Sequence, residues 1–316
     1  MSTNWSSSKS DRYKKLAVSL SLSLASFLTL IKMIAALFSG SLAILSSFMD
    51  SLSDVFATVV SFFAVKFSLK PPSCTHRYGY FKAESISALI QSAFIAGSGL
   101  FVLFSAAHRL LHGAIVEHTL LGIIVMCISL SLTVCVVLFQ KYVAKNTKSP
   151  AIEADSAHYI ADIATNLSVI FSLFAVSYFH LPLIDTLTAF AIAVYLLVYA
   201  CRIGAKSVSA LMDRELPENI KKEVARIVQK TRGIRGFHDF RSRDLGAVYL
   251  FELHLEMEPN LSLIEAHRLT QKVETKILKK FQNAQIIIHQ DPYGIKEKRL
   301  DDILSRCDMA SPQDLP

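Results

Sequence analysis

Long apolar runs alternate with short polar segments over the first two thirds of the chain. A helix needs roughly 20 mostly apolar residues to cross the hydrocarbon core of a bilayer. Six stretches meet this requirement, at residues 16–38, 42–68, 84–111, 120–140, 156–179 and 184–210. The pattern therefore predicts an all-α membrane domain of six spanning helices.

The pattern changes near Leu216, where the apolar runs give way to mixed, charged sequence. Residues 216–291 predict the order α-β-β-α-β, because helical periods alternate there with strand-like runs. In "GAVYLFELHLEME", one face of the predicted strand carries Tyr249, Phe251, Leu253, Leu255 and Met257, and the other carries Glu252, His254 and Glu256. Ser262, with Glu265 three residues later, predicts the cap of the second helix.

We therefore divide the chain into a cytoplasmic N-terminal segment (1–15), a membrane domain (16–212), a C-terminal α+β cytoplasmic domain (213–295) and a polar tail (296–316). The first apolar run is too long for a cleavable signal, so it is expected to be a true span.

Composition and charge agree with a membrane protein. Of 316 residues, 52% are hydrophobic and 19% are charged, and the net charge is +7. Lys and Arg concentrate in the N-terminal segment and in two of the predicted loops, which places both termini in the cytoplasm. These loops account for the positive charge, so no nucleic-acid partner is expected. The five cysteines show no CxxC spacing and predict no disulfide framework.

Two pairs of charged or ionisable residues interrupt the apolar runs. Asp50 and Asp54 lie one turn apart in the second span, and His158 and Asp162 do so in the fifth. An unpaired carboxylate in hydrocarbon costs about 2.5–3.5 kcal/mol even on the lenient insertion scale. Together, three carboxylates and one imidazole suit a small divalent cation. A single such Asp could also serve as a cap, and Lys32 in the first span could snorkel or pair with a carboxylate.

Several motifs resemble the cation diffusion facilitators, especially the bacterial zinc and ferrous-iron efflux type. They are "GSLAILSSFMDSLSD", "HRYGYFKAES", "SAHYIADIATN", "HLEME" and "IIIHQDP". The resemblance implies a homodimer with ferredoxin-like cytoplasmic domains that exchanges a divalent cation for protons across a lipid bilayer. The motifs look like those of bacterial members of the family, which implies a location in a bacterial inner membrane.

The resemblance also assigns metal ligands by position. Asp50, Asp54, His158 and Asp162 match the family's transport site, in a combination that goes with zinc (Zn2+) and cadmium (Cd2+), and ferrous iron (Fe2+) stays open. A cytoplasmic two-metal site is matched by His238, His254, His267, His289 and Asp291. Lys82 and Asp213 match a pair of charges at the junction of membrane and cytoplasm in the dimer.

One family site departs from the pattern in the loop between the second and third spans. Ser73 and Tyr80 stand where relatives carry an Asp and a His, which leaves His76 with Cys74 as the remaining candidate ligands. We expect this loop site to be absent or weak.

Competing functions use the same residues. A passive metal channel or a metal-sensing scaffold could carry these ligands too. An intramembrane hydrolase is disfavoured because the chain has no HExxH and no Gly-x-Gly-Asp motif. We expect a secondary transporter that is not an enzyme and in which protons and metal compete for one cluster, since bound imidazole must be neutral and bound carboxylates ionised.

Overall fold

The computed structural model describes residues 8–39, 42–112, 120–179, 183–246, 248–295 and 298–302. Within the helices, some side chains lie outside this description, and that of Asp50 is one of them. The described residues form two compact units that divide between Leu211 and Met212.

The first unit consists of long helices. In the described part of the chain they are α1 (Ser8–Ser39), α2 (Leu42–Ser68), α3 (Ala83–His112), α4 (Leu120–Thr147), α5 (Pro150–Phe179) and α6 (Leu183–Leu211). Four contain described segments long and apolar enough to cross a membrane, namely Ser10–Ile34, Ser51–Ser68, Ala83–Ser105 and Leu187–Leu211. The predicted helical membrane domain is confirmed.

Small residues let α5 pack closely against its neighbours. It contacts α2, α3, α4 and α6, and Ala154, Ala157 and Ala161 pack in one buried cluster with Ile95 and Leu196. Small side chains at helix contacts are typical of membrane bundles, because they allow the backbones to approach. Because of this packing, one face of α5 points toward the interior of the unit. That face carries His158, which is buried.

The second unit has the predicted order of elements. It contains α7 (Glu218–Gln229), β1 (Gly236–Asp244), β2 (Tyr249–Met257), α8 (Leu263–Lys280) and β3 (Ala284–Pro292). The sheet order is β1-β2-β3, with β1 antiparallel and β3 parallel to β2. The α+β fold class is confirmed.

The two faces of β2 separate as the alternation predicted. Phe251, Leu253 and Leu255 are fully buried with Val273 and Ile277 of α8 in the core of the unit. At the start of α8, the side chain of Ser262 accepts a hydrogen bond from the Glu265 N–H, and the Glu265 carboxylate accepts one from the Ser262 N–H. The predicted capping box is present. The opposite face of the sheet is left to polar side chains.

Candidate metal centres

A three-residue cluster lies between α2 and α5 in the first unit. His158 Nε2 is 2.9 Å from Asp54 Oδ1 and 3.9 Å from Asp162 Oδ2. The His158 side chain is 4% exposed, whereas those of Asp54 and Asp162 are 23% and 31% exposed. One ligand atom from each of the three residues falls within 4.8 Å of the others, which is a spacing that could hold a metal ion.

The cluster borders a cavity of about 740 Å³. Its wall includes all three ligands together with Phe94, Phe101, Ser51 and Lys32. The Lys32 ammonium donates a hydrogen bond to Ser51 Oγ at 2.6 Å. From the sequence, Lys32 was expected only to snorkel or to pair with a carboxylate, and the structure places it on the wall of the same cavity as the candidate ligands.

Asp50, the fourth predicted ligand, has a backbone in α2 but a side chain outside the described residues. It lies one helical turn before Asp54, so its position agrees with the spacing argument. Its part in the cluster stays a prediction.

A buried polar network that sequence reasoning missed adjoins this cluster. Asp155 on α5 is fully buried, and Gln140 Nε2 of α4 donates to its Oδ2 at 2.5 Å. Gln91 Nε2 of α3 lies 3.4 Å from Asp155 Oδ1. The spacing did hold a signal, because residues i, i+3 and i+7 share one face of a helix and Asp155, His158 and Asp162 follow that pattern.

A second missed network joins the ends of four segments. Lys14 Nζ of α1 lies 2.8 Å from Glu84 Oε1 of α3, and both side chains are 5% exposed. Ser68 at the end of α2 donates to the same carboxylate at 2.7 Å, and Ser149, just before α5, donates to its other oxygen. Four segments therefore depend on one buried carboxylate.

The second unit carries a cluster built by strand register. His238 of β1 lies opposite His254 of β2, which in turn lies opposite His289 of β3. The three histidines therefore form one row across the sheet. Asp291 follows His289 by two residues, so it points to the same face of β3.

Distances in this row show a convergent donor set. Asp291 Oδ2 is 2.8 Å from His254 Nδ1 and 3.5 Å from His238 Nε2, and Asp291 Oδ1 is 3.1 Å from His289 Nε2. Ligand atoms of His238, His254 and Asp291 fall within 4.8 Å of one another. Imidazole and carboxylate are ordinary zinc ligands, so the donor set fits a divalent transition metal. His267 is exposed on α8 and lies outside this group of described residues, so its role stays a prediction.

Residues from the predicted polar tail contact the strands beside this row. Arg299 Nη2 lies 2.5 Å from Glu256 Oε1, and Glu256 Oε1 is 3.2 Å from His238 Nδ1. Asp301 and Asp239 exchange hydrogen bonds from backbone N–H to carboxylate at 2.8 and 3.1 Å. Burial alone would raise the pKa of Asp239, but the backbone hydrogen bonds from Leu300 and Asp301 lower it below its ordinary value. This tail contact was not predicted.

The predicted junction charges each have a partner within their own unit. Lys82 Nζ donates to the Leu211 carbonyl at 3.2 Å. Asp213 Oδ2 lies 3.0 Å from Arg243 Nη1. Their role as charge pairs in a dimer stays a prediction.

The loop between α2 and α3 is held by its own side chains. Ser73 Oγ and Tyr80 OH are 2.9 Å apart, and the His76 ring stacks on that of Tyr80 with centroids 4.5 Å apart. Neither His76 nor Cys74 belongs to the groups of convergent ligands found among the described residues.

Comparison with known proteins identifies both units. A family model described as "Cation efflux transmembrane domain" matches residues 18–212, and one described as "Cation efflux protein, cytoplasmic domain" matches residues 216–293. A cation-efflux pump, FieF, of Cronobacter sakazakii is 38% identical over 271 residues, covering 86% of this chain and 90% of that protein.

A second pump and one solved domain are also similar to this chain. The FieF pump of Shewanella oneidensis is 38% identical over 289 residues, covering 92% of this chain and 97% of the pump. The metal-bound C-terminal domain of the CzcD transporter from Thermotoga maritima is 25% identical, with a TM-score of 0.24, covering 25% of this chain and 93% of that domain. Both family models match, and the chain is 38% identical to the two FieF pumps over 86% and 92% of its length. The chain therefore belongs to the cation diffusion facilitator family of cation-efflux transporters.

Proposed function

We propose that this protein exports a divalent metal cation, preferably zinc, from the cytoplasm in exchange for protons, as a homodimer in a bacterial inner membrane with both termini in the cytoplasm. The observation that carries the proposal is the cluster of Asp54, His158 and Asp162, in which one imidazole nitrogen lies 2.9 and 3.9 Å from two carboxylates. The proposal also includes Asp50 as the fourth ligand. The family of this chain is one of transporters and not of enzymes.

The donor set supports zinc as the main substrate. A mixed set of imidazole and carboxylate suits a small borderline cation in tetrahedral geometry. Cadmium and ferrous iron are the alternative substrates, because affinity for a set of ligands rises along the divalent series without fixing which metal is carried.

Proton exchange follows from the same ligands. A metal-bound imidazole must be neutral and its carboxylates ionised, so metal and protons compete for the cluster. His158 suits this role because the unperturbed pKa of histidine, about 6.5, lies near cellular pH. Protons that enter down their gradient would displace the cation outward.

The row of His238, His254 and Asp291 is proposed as a resident zinc site of the cytoplasmic domain, with His289 and His267 as further ligands. Zinc there would fix the polar face of the sheet by binding side chains from three strands. We propose that it stabilises the contact between two such domains, with Lys82 and Asp213 pairing at the junction.

The test is metal flux in proteoliposomes with a pH dye in the lumen. Vesicles with an acidic lumen should accumulate zinc against its own gradient while the pH of the lumen rises. A panel of zinc, cadmium, ferrous iron and manganese would rank the substrates. Zinc that only equilibrates, with no effect of the pH gradient, would contradict antiport and indicate a channel. Absence of any zinc flux in a preparation that binds zinc would contradict transport altogether.

A further inference from the structure

Asp155 is a buried carboxylate that the proposed exchange leaves without a role. Its side chain is fully inside the first unit, on α5, three residues before His158. It belongs to neither group of convergent metal ligands among the described residues. Burying a carboxylate is costly unless it is paired, hydrogen-bonded or protonated.

The described hydrogen-bond partners of Asp155 are all neutral, namely amides from α3 and α4 and hydroxyls from α1 and α2. Gln140 Nε2 donates at 2.5 Å, and Gln91 Nε2 lies at 3.4 Å. Each amide also contacts a serine hydroxyl, since Gln140 Nε2 lies 2.5 Å from Ser21 Oγ and Gln91 Nε2 donates to Ser61 Oγ. The contrast is with Glu84, whose buried carboxylate has the ammonium of Lys14 beside it.

The two glutamines can serve either charge state of Asp155. Both are fully buried, and the Oε1 atom of each has no hydrogen-bond partner among the described residues. An amide presents two donors at one end and an acceptor at the other. A half-turn of either amide would therefore replace the N–H donor that suits a carboxylate with the C=O acceptor that suits a carboxylic acid. The serine hydroxyls can follow, because a hydroxyl both donates and accepts.

We propose that Asp155, with Gln91 and Gln140, is a second proton-binding site, separate from the metal ligands, whose protonation alternates with occupation of the metal cluster. The step is a proton transfer only: the carboxylate gains a proton when the dication leaves and gives it up when the dication binds. This deepens the proposed antiport and rests on it. Each protomer would then have a proton acceptor that is not itself a ligand of the metal.

The titratable and polar groups around Asp155 support this exchange. From its own helix, His158 acts on it through charge and Tyr159 is a further titratable neighbour. From α1 and α2, the described interacting groups are the hydroxyls of Ser21 and Thr58, and from α3 and α4 they are the two amides. A dication next to His158 favours the ionised carboxylate, and its departure removes that stabilisation.

The experiment counts protons released per zinc bound by the full-length protein in detergent, with a pH dye, over a pH series. Asp155→Asn keeps the shape and hydrogen-bonding capacity of the side chain, so it should bind zinc with the parent stoichiometry but release up to one proton fewer per protomer. Glu153→Gln is the matched control, because Glu153 lies on the same helix but is exposed and pairs with Lys206. The control should release as many protons as the parent, and an equal count for Asp155→Asn would overturn the proposal.

Infrared difference spectra of the intact protein give a second readout that needs no altered carboxylate. Zinc addition should remove a band of a buried, protonated carboxyl group, and Gln140→Met should shift that band by removing a hydrogen-bond partner. A spectrum with no such band, or a band that Gln140→Met leaves in place, would overturn the assignment.

The second proton site and the antiport itself can be disproved independently of each other. If parent proteoliposomes exchange zinc for protons and Asp155→Asn releases the parent number of protons, the second proton site is wrong and the antiport stands. If the parent itself shows no proton exchange, the proposed function is wrong and the second site falls with it.

Discussion

The two candidate metal centres are assembled by different kinds of structure. The intramembrane cluster depends on a one-turn spacing within α5 and on the contact of α5 with α2, so His158 lies near both Asp54 of α2 and Asp162 of its own helix. The cytoplasmic row depends on strand register, which aligns His238, His254 and His289 across three strands. A shift of one residue in either strand pairing would move a histidine to the other face of the sheet.

Their surroundings differ as well. His158 is 4% exposed and lies beside a buried hydrogen-bond network, whereas His289 at the end of the row is 66% exposed. Charge in a membrane-spanning unit is costly, so neighbouring protein groups have to balance it. Charge on the open face of the sheet can be balanced by water and salt. The comparison teaches that the first centre needs neighbouring protein groups that balance its charge, whereas the second mainly needs the correct strand register.

The largest expected effect is loss of transport on removing an intramembrane ligand. Asp162→Ala should lower zinc flux in proteoliposomes at least about 100-fold, since loss of even an outer partner of a metal ligand costs 10–100-fold. The cytoplasmic site should keep its zinc, which equilibrium dialysis would check. Glu153→Ala is the control on the same helix, and flux near the parent value for Asp162→Ala would remove this residue from the site.

A difference in stability should separate buried from exposed ion pairs. Lys14→Met leaves Glu84 buried without its cation and should destabilise the first unit by about 3–5 kcal/mol, as measured by denaturant unfolding in detergent. Lys206→Met breaks the pair with Glu153, whose partners are 64% and 46% exposed, and should cost less than about 1 kcal/mol. Similar costs for the two variants would contradict the view that the Lys14–Glu84 contact is sealed from water.

A smaller effect is expected at the cytoplasmic row. His254→Ala removes the central donor and should weaken zinc binding there at least about 10-fold, while zinc flux persists. Calorimetric titration of the full-length protein measures the binding. His267→Ala is the informative companion, because His267 lies outside the row within one chain. A matching loss for His267→Ala would show that it does ligate, and no loss for His254→Ala would exclude the row as a zinc site.

The smallest effect concerns the cap of α8. Ser262→Ala should destabilise the second unit by about 1 kcal/mol, as expected for loss of an N-cap. Hydrogen bonds from the Ser262 side chain and backbone lower the pKa of Glu265 in the folded state. A lowered pKa adds stability above the unfolded value of about 4.3, and this is lost as pH falls through the folded pKa. Hydrogen exchange of α8 in Ser262→Ala should therefore depend less on pH in this acidic range. An unchanged acid dependence would contradict the coupling.

Much of the fold and part of the candidate sites could be predicted from local patterns in the sequence. Apolar runs and alternation predicted the order of helices and strands, and the i,i+4 spacing predicted His158 with Asp162, because these features depend on residues close in sequence. Register is a long-range property. The row from His238 to His289 was reached through family resemblance and not through the periodicity of any one strand.

The missed residues share a physical reason. Asp155, Gln91 and Gln140 come from three helices, and no local pattern says that their polar ends meet in the interior. Arg299 was missed because a short, polar segment after the last strand has no period to indicate where it packs. In each case the contact is made by tertiary structure alone.

The contact of Arg299 with Glu256 bears on where the cytoplasmic domain can be cut. The family match ends at residue 293, and an isolated domain truncated there would lose Arg299 and Asp301. Glu256 would then stand next to His238 without its guanidinium neighbour, and the Asp239 backbone would lose the carboxylate it bonds to. Metal titrations on so short a fragment would describe an altered binding surface, so the fragment should extend at least through Asp302.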